Sequence, residues 1–131
     1  MKMMTDEEKQ VHLNNVIKLL SGTQRQVQGM DFNQFSREEQ VYQEVYGNLQ
    51  NAGQAAHMLQ QESDDRLRAI GLEALANFRN ARFNSEAEMD HSVVWGFLRS
   101  EDVENMLDEL EKASADVGSS HEHLEDDKNR L

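Results

Sequence analysis

Residues 79–86 read RNARFNSE. Arg79 can stabilise negative charge on a phosphate through its guanidinium. Asn80 and Asn84 each carry a donor and an acceptor, and Arg82 completes a candidate binding set of Arg79, Asn80, Arg82 and Asn84. The stretch lacks a group that exchanges a proton near neutral pH. Asn84 cannot act as a base at pH 7, and Glu86 adds a negative charge to the stretch. The parts therefore suit binding better than cleavage, and no catalytic residue is assigned. The simpler reading is that Arg79 closes a helix and pairs with a carboxylate such as Glu73 or Glu86.

The other chemistry-bearing residues are scattered. His12, His57 and His91 stand apart from one another. His121-Glu122-His123 has the makings of a weak metal ligand set, but its surroundings are those of a solvated tail. There is no HExxH motif, no Glu-x-x-His helix pair, no Gly-rich phosphate loop and no nucleophile elbow. No cofactor is implied. Residues 86–111 hold nine carboxylates and one basic side chain, Arg99, and six of the nine lie within 101–111. That is either a solvated helix face or an acidic docking surface for a basic partner.

The composition narrows the classes. The chain has 131 residues and a net charge of −12, which fits one domain with a modest core. Such a surface repels nucleic acid at long range. RNA stays a candidate ligand only through a local basic patch. There is no Cys, hence no disulfide and no thiolate zinc site, and no Pro, which suits uninterrupted helices. The sequence shows no signal-peptide core and no long apolar run, so no membrane association is expected and the expected compartment is cytoplasmic.

The elements that must position these residues read as helices throughout. Thr5 and Glu8 have capping-box spacing, followed by Leu13, Val16, Ile17 and Leu20 at helical intervals. This helix ends at Ser21-Gly22 or runs on to about Met30. Phe32 and Phe35, in a polar loop, are expected to tuck under the bundle. Ser36 and Glu39 form a second capping-box signature. Val41, Val45, Leu49, Ala52, Ala56 and Leu59 give the clearest stripe. Around them, Gly53 and neighbouring alanines make a small-residue surface that permits close helix approach.

A third helical segment is expected from Ser63, with Leu67, Ile70, Leu75 and Phe78 on its buried side. Ser85 and Glu88 suggest a further cap, then Met89, Val93, Val94, Phe97 and Leu98, with Trp95 in the core. Arg99-Ser100 reads as a break before Val103, Met106, Leu107 and Leu110. Gly71 and Gly96 read as close helix contacts. From about Ala113 the pattern dissolves into a polar tail expected to be flexible. The fold class is all-α, a single-domain bundle of four to five helices over residues 1–112 with an acidic tail over 113–131.

Two stretches give the sequence a family likeness, NLQNAGQAAHML at 48–59 and IGLEALANFRNARFNSEAEMDHSVVW at 70–95. The chain resembles the HepT-like branch of the HEPN superfamily, small all-α proteins that include toxin ribonucleases, over roughly residues 8–112. In that family an Arg-Asn pair is followed three residues later by His, then Gly and Tyr, and further on by an Asp and a Trp. Arg79, Asn80, Asp90 and Trp95 hold the matching places. The family's Arg-x(4–6)-His signature is degenerate here, because the positions after Arg79 are Asn84, Ser85 and Glu86. Asn84 stands for the His, and Glu86 for the Tyr that a partner nucleotidyltransferase modifies with AMP.

The resemblance implies a two-fold homodimer with its motifs facing each other, a nucleotidyltransferase-type or other protein partner, and a toxin–antitoxin lineage. With the acid–base group missing, a loss of ~10²–10⁴-fold in rate is expected, so the implied role is a binding or regulatory module without ribonuclease activity. The alternative from a different class is a small acidic helical adaptor or inhibitor, of the nucleic-acid-mimic kind a phage encodes, working through the face over 101–111. A ribonuclease with a relocated base such as His91 ranks third.

Overall fold

The structure is a computed structural model that describes residues 4–80 and 91–130, with the side chains of Asn80 and of 119–130 not described. Helix α1 spans Asp6–Val27, α2 Phe32–Arg37, α3 Glu39–Gln60, α4 Asp65–Arg68, α5 Glu73–Asn77, α6 His91–Leu98 and α7 Glu101–Arg130. A 3-10 turn, Phe78–Asn80, follows α5. No strand occurs among the described residues. The all-α bundle expected from the sequence is what forms, built on three long helices with short ones attached. Helix α1 is the middle layer, packed on α3 on one side and α7 on the other. Helix α5 and the 3-10 turn pack on α3.

Helix α1 starts where its sequence directs. The Thr5 hydroxyl accepts from the Glu8 N–H at 3.1 Å, and Glu8 accepts from the Thr5 N–H at 3.0 Å, so two orphan donors are satisfied reciprocally. Leu13, Val16 and Leu20 are fully buried, and the helix continues past Gly22 to bury Val27. Gly29, at φ 83°, makes the left-handed turn that follows.

The second capping box does not form. The Asp31 carboxylate accepts from the Gln34 N–H at 2.8 Å and starts α2 earlier than Ser36 would. Ser36 is thereby placed inside a helix, where its hydroxyl donates to the Asn33 carbonyl, and α3 begins at Glu38 without a side-chain cap. Of the two loop phenylalanines, Phe35 is fully buried and Phe32 remains 39% exposed.

The third segment is broken where one helix was expected. Leu67, Ile70, Leu72 and Leu75 are all buried. Positions 70 and 72 lie about 200° apart on a continuous helix, so one face cannot bury both. The chain resolves the conflict by ending α4 at Arg68 and restarting at Glu73. Gly71 lies in that break, and nothing stands within 4 Å of where its Cβ would be; the same holds for Gly96, which is exposed on α6. Neither is a close helix contact.

The first turn of α4 anchors the chain's beginning. Asp64, its N-cap, accepts from the backbone N–H, Nε and Nη2 of Arg66 and from Nζ of Lys9 at 2.9 Å. Arg66 foremost, then Lys9, holds the Asp64 carboxyl well below the usual carboxylate range, against the opposing effect of burial. Glu62 accepts from the Met4 N–H at 3.0 Å.

Helix α7 does not stop near residue 112. It runs to Arg130, and Ala113, Ser114 and Val117 are buried as Val103, Met106 and Leu110 are. Ser114 donates to the Asn14 side chain at 2.7 Å and its carbonyl accepts from Gln10. The packed bundle therefore includes the first turns of the segment read as a tail.

Candidate functional site

Helix α3 positions the Arg-Asn pair through Gly53. A Cβ at this position would stand 2.6 Å from the Leu75 carbonyl oxygen and 2.8 Å from the Arg79 backbone nitrogen. Real Cβ contacts are not that short, so glycine is what admits α5 and the 3-10 turn onto α3. The small-residue surface predicted around Ala52, Gly53, Ala55 and Ala56 is buried throughout, and at Gly53 its partner is the backbone that carries Arg79.

Arg79 is half-buried in the 3-10 turn. Its Nη1 donates to the Ala76 carbonyl at 2.9 Å, capping one of the orphan acceptors at the end of α5. Among the described residues it forms no ion pair, so the expected bridge to Glu73 is not made. The backbone of Asn80 closes the turn. Arg82, Asn84, Glu86, the Ser85–Glu88 cap, Met89 and Asp90 lie outside the described residues.

The chain re-enters the described region at His91, the first residue of α6, and meets a cluster of rings. The His91 ring stacks on Tyr46 with centroids 5.5 Å apart and meets Tyr42 at a tilt, 4.5 Å away. The Tyr46 hydroxyl is hydrogen-bonded to His91 Nδ1. Phe35 packs edge-on against His91 at 6.0 Å and lies 5.2 Å from Trp95. Trp95 also meets Phe32 at 6.4 Å, and the Arg99 guanidinium sits 5.5 Å above its ring. Trp95 is thus half-buried, packed on the core and not enclosed in it. With Nδ1 engaged by a buried tyrosine, His91 works as a ring that docks α6 onto α2 and α3.

The His91–Tyr46 pair escaped sequence reading. Nothing in the spacing of 46 and 91 links them. The acidic face is clearer. Glu101, Asp102, Glu104, Asp108, Glu109 and Glu111 are all exposed on α7, and none is ion-paired among the described residues. No group of three His, Asp or Glu among the described residues is placed to hold a metal. The side chains of His121 and His123 lie outside them. No helix of the described residues is long and apolar enough to cross a membrane.

Neither a protein-family model, nor a curated protein, nor a solved structure matches this chain.

Proposed function

We propose that the protein is a HepT-like HEPN protein that binds and does not cleave, acting as a cytoplasmic, homodimeric regulatory module related to toxin–antitoxin systems. The observation that carries this reading is the seating of the Arg79 backbone on Gly53. The two stretches that bear the family likeness, 48–59 and 70–95, are separate in sequence, and this contact joins them. It holds the Arg-Asn pair rigidly in a turn on the longest-striped helix, the placement a binding arginine needs. The replacement of the family's His and Tyr by Asn84 and Glu86 removes the general base and the AMP acceptor. What remains at Arg79, Asn80, Arg82 and Asn84 is anion-binding chemistry, directed at a protein partner of the nucleotidyltransferase type or at a short RNA segment.

The test has two parts. Light scattering on the purified chain should give twice the monomer mass. Arg79→Ala should weaken capture of a cognate partner encoded beside this gene, while the thermal midpoint stays close to wild type. A monomer whose partner binding is indifferent to Arg79 would refute the reading. RNA cleavage lost in His91→Ala would refute the non-cleaving half of it.

The outward carboxylates over 101–111 of α7, none of them ion-paired among the described residues, favour a second reading, an acidic adaptor for a basic protein surface. Charge reversal at Asp108 and Glu109 would abolish partner binding under that reading and leave it intact under the first.

A further inference from the structure

We infer a second anion site, independent of Arg79, in the cleft where the end of α1 faces the α6–α7 junction, and assign it to a small phosphate ester. The cleft is about 530 Å³. Its floor is apolar, with Val27 and Leu98 both buried. Its walls are tied together, since Gln24 donates its side-chain amide to the Leu98 carbonyl at 3.4 Å. The cleft is therefore a feature of the packed bundle.

Charge is what sets this cleft apart. The chain carries 25 acidic side chains against 13 basic ones. The cleft reverses the ratio, with Arg25 and Arg99 on opposing walls and Glu104 as the single carboxylate among the described residues that line it. Neither arginine is ion-paired among the described residues. Arg99 is held over the Trp95 ring, an arrangement that positions a guanidinium while leaving its N–H edge available. Ser21, Gln28 and Ser100 add hydroxyl and amide groups along the rim.

Two arginines favour phosphate over carboxylate. One bidentate arginine saturates both oxygens of a carboxylate, whereas a phosphate monoester has three terminal oxygens to share between two guanidinium groups. Glu104 would repel a bare dianion and accept from a hydroxyl on the rest of the molecule, so a hydroxylated ester fits better than inorganic phosphate.

Trp95 is the only tryptophan, and it lies under Arg99, which makes it the reporter. Glycerol 3-phosphate added at constant ionic strength should change its fluorescence saturably, with the same affinity by calorimetry. Inorganic phosphate should bind more weakly and acetate hardly at all. Arg25→Gln and Arg99→Gln should each weaken binding at least tenfold by calorimetry, and the double variant should abolish it. Both arginines are exposed, so circular dichroism and the unfolding midpoint should be unchanged. Glu104→Gln should tighten inorganic phosphate several-fold. Absence of a saturable response, equal affinity in the double variant, an equal response to acetate, or weaker phosphate binding by Glu104→Gln would each overturn the assignment.

Discussion

Gly53 and Arg79 meet backbone to backbone, with only the absence of a Cβ on α3 allowing the approach. The arginine that the sequence singles out for chemistry is thus positioned by a residue with no side chain, 26 places earlier in the chain.

Gly53→Ala should cost stability although alanine is the better helix former. The new methyl would face main-chain atoms of Leu75 and Arg79 that cannot rotate away. Overpacking of this kind costs ~1–3 kcal/mol, against about 1 kcal/mol returned by helix propensity. Gly47→Ala on the same helix is the control, because nothing lies within 4 Å of its Cβ position; it should stabilise by about 0.5–1 kcal/mol. Urea midpoints of the two variants should move in opposite directions. A raised midpoint for Gly53→Ala would mean that α5 is not seated on α3 in this way.

Asp64 should make the fold acid-sensitive. Its carboxyl titrates well below the ordinary range in the folded chain because Arg66, then Lys9, holds the charged form. Its contribution is complete above the unfolded-state value near pH 4 and is lost as pH falls from there toward the depressed folded value. Asp64→Asn should cost about 3 kcal/mol at pH 7, since it leaves Lys9 and Arg66 without their buried partner. The gap between variant and wild type should narrow steadily below about pH 4. A gap of constant size down to pH 2 would mean that the charge pairs with Lys9 and Arg66 do not carry the loss.

Much of the fold was legible because the long helices announce themselves. Thr5 and Glu8 predicted the start of α1, and the buried faces of α1 and α3 follow the apolar spacing almost residue for residue. What stayed hidden had two physical causes. Ala113 and Ser114 bury well but carry little hydrophobic signal, and Val117 stands alone among polar neighbours, so the segment looked like the beginning of a tail. Competing local choices are invisible to spacing alone. Asp31 outcompeted Ser36 as a cap, and Leu72 broke a helix whose other apolar residues fit one stripe. At the candidate site, the sequence singled out Arg79, but the contact with Gly53 and the pairing of His91 with Tyr46 are long-range facts of packing.

Tyr46→Phe should loosen α6 specifically. The ring stays in place for stacking, but His91 Nδ1 loses its hydroxyl partner. A global loss of about 0.5–1.5 kcal/mol is expected. Because Trp95 shares α6 with His91, its emission should shift to the red in the variant under native conditions. An unshifted spectrum would mean that Phe35 and Tyr42 alone dock the helix.

Truncation separates the packed part of α7 from the rest. A chain ending at Gly118 keeps Ala113, Ser114 and Val117, and with them the bonds to Gln10 and Asn14. It should unfold at the wild-type midpoint. A chain ending at Lys112 loses the buried Val117, worth ~1.5–3 kcal/mol, and the hydrogen bonds that Ser114 makes to α1, worth about 1 kcal/mol each. Its loss should reach about 4 kcal/mol in urea unfolding. Gly118 is the last residue of the buried seam, next to the Gln10 side chain on α1. Equal midpoints for the two truncations would return the domain boundary to residue 112 and leave the α1–α7 seam ending at Leu110.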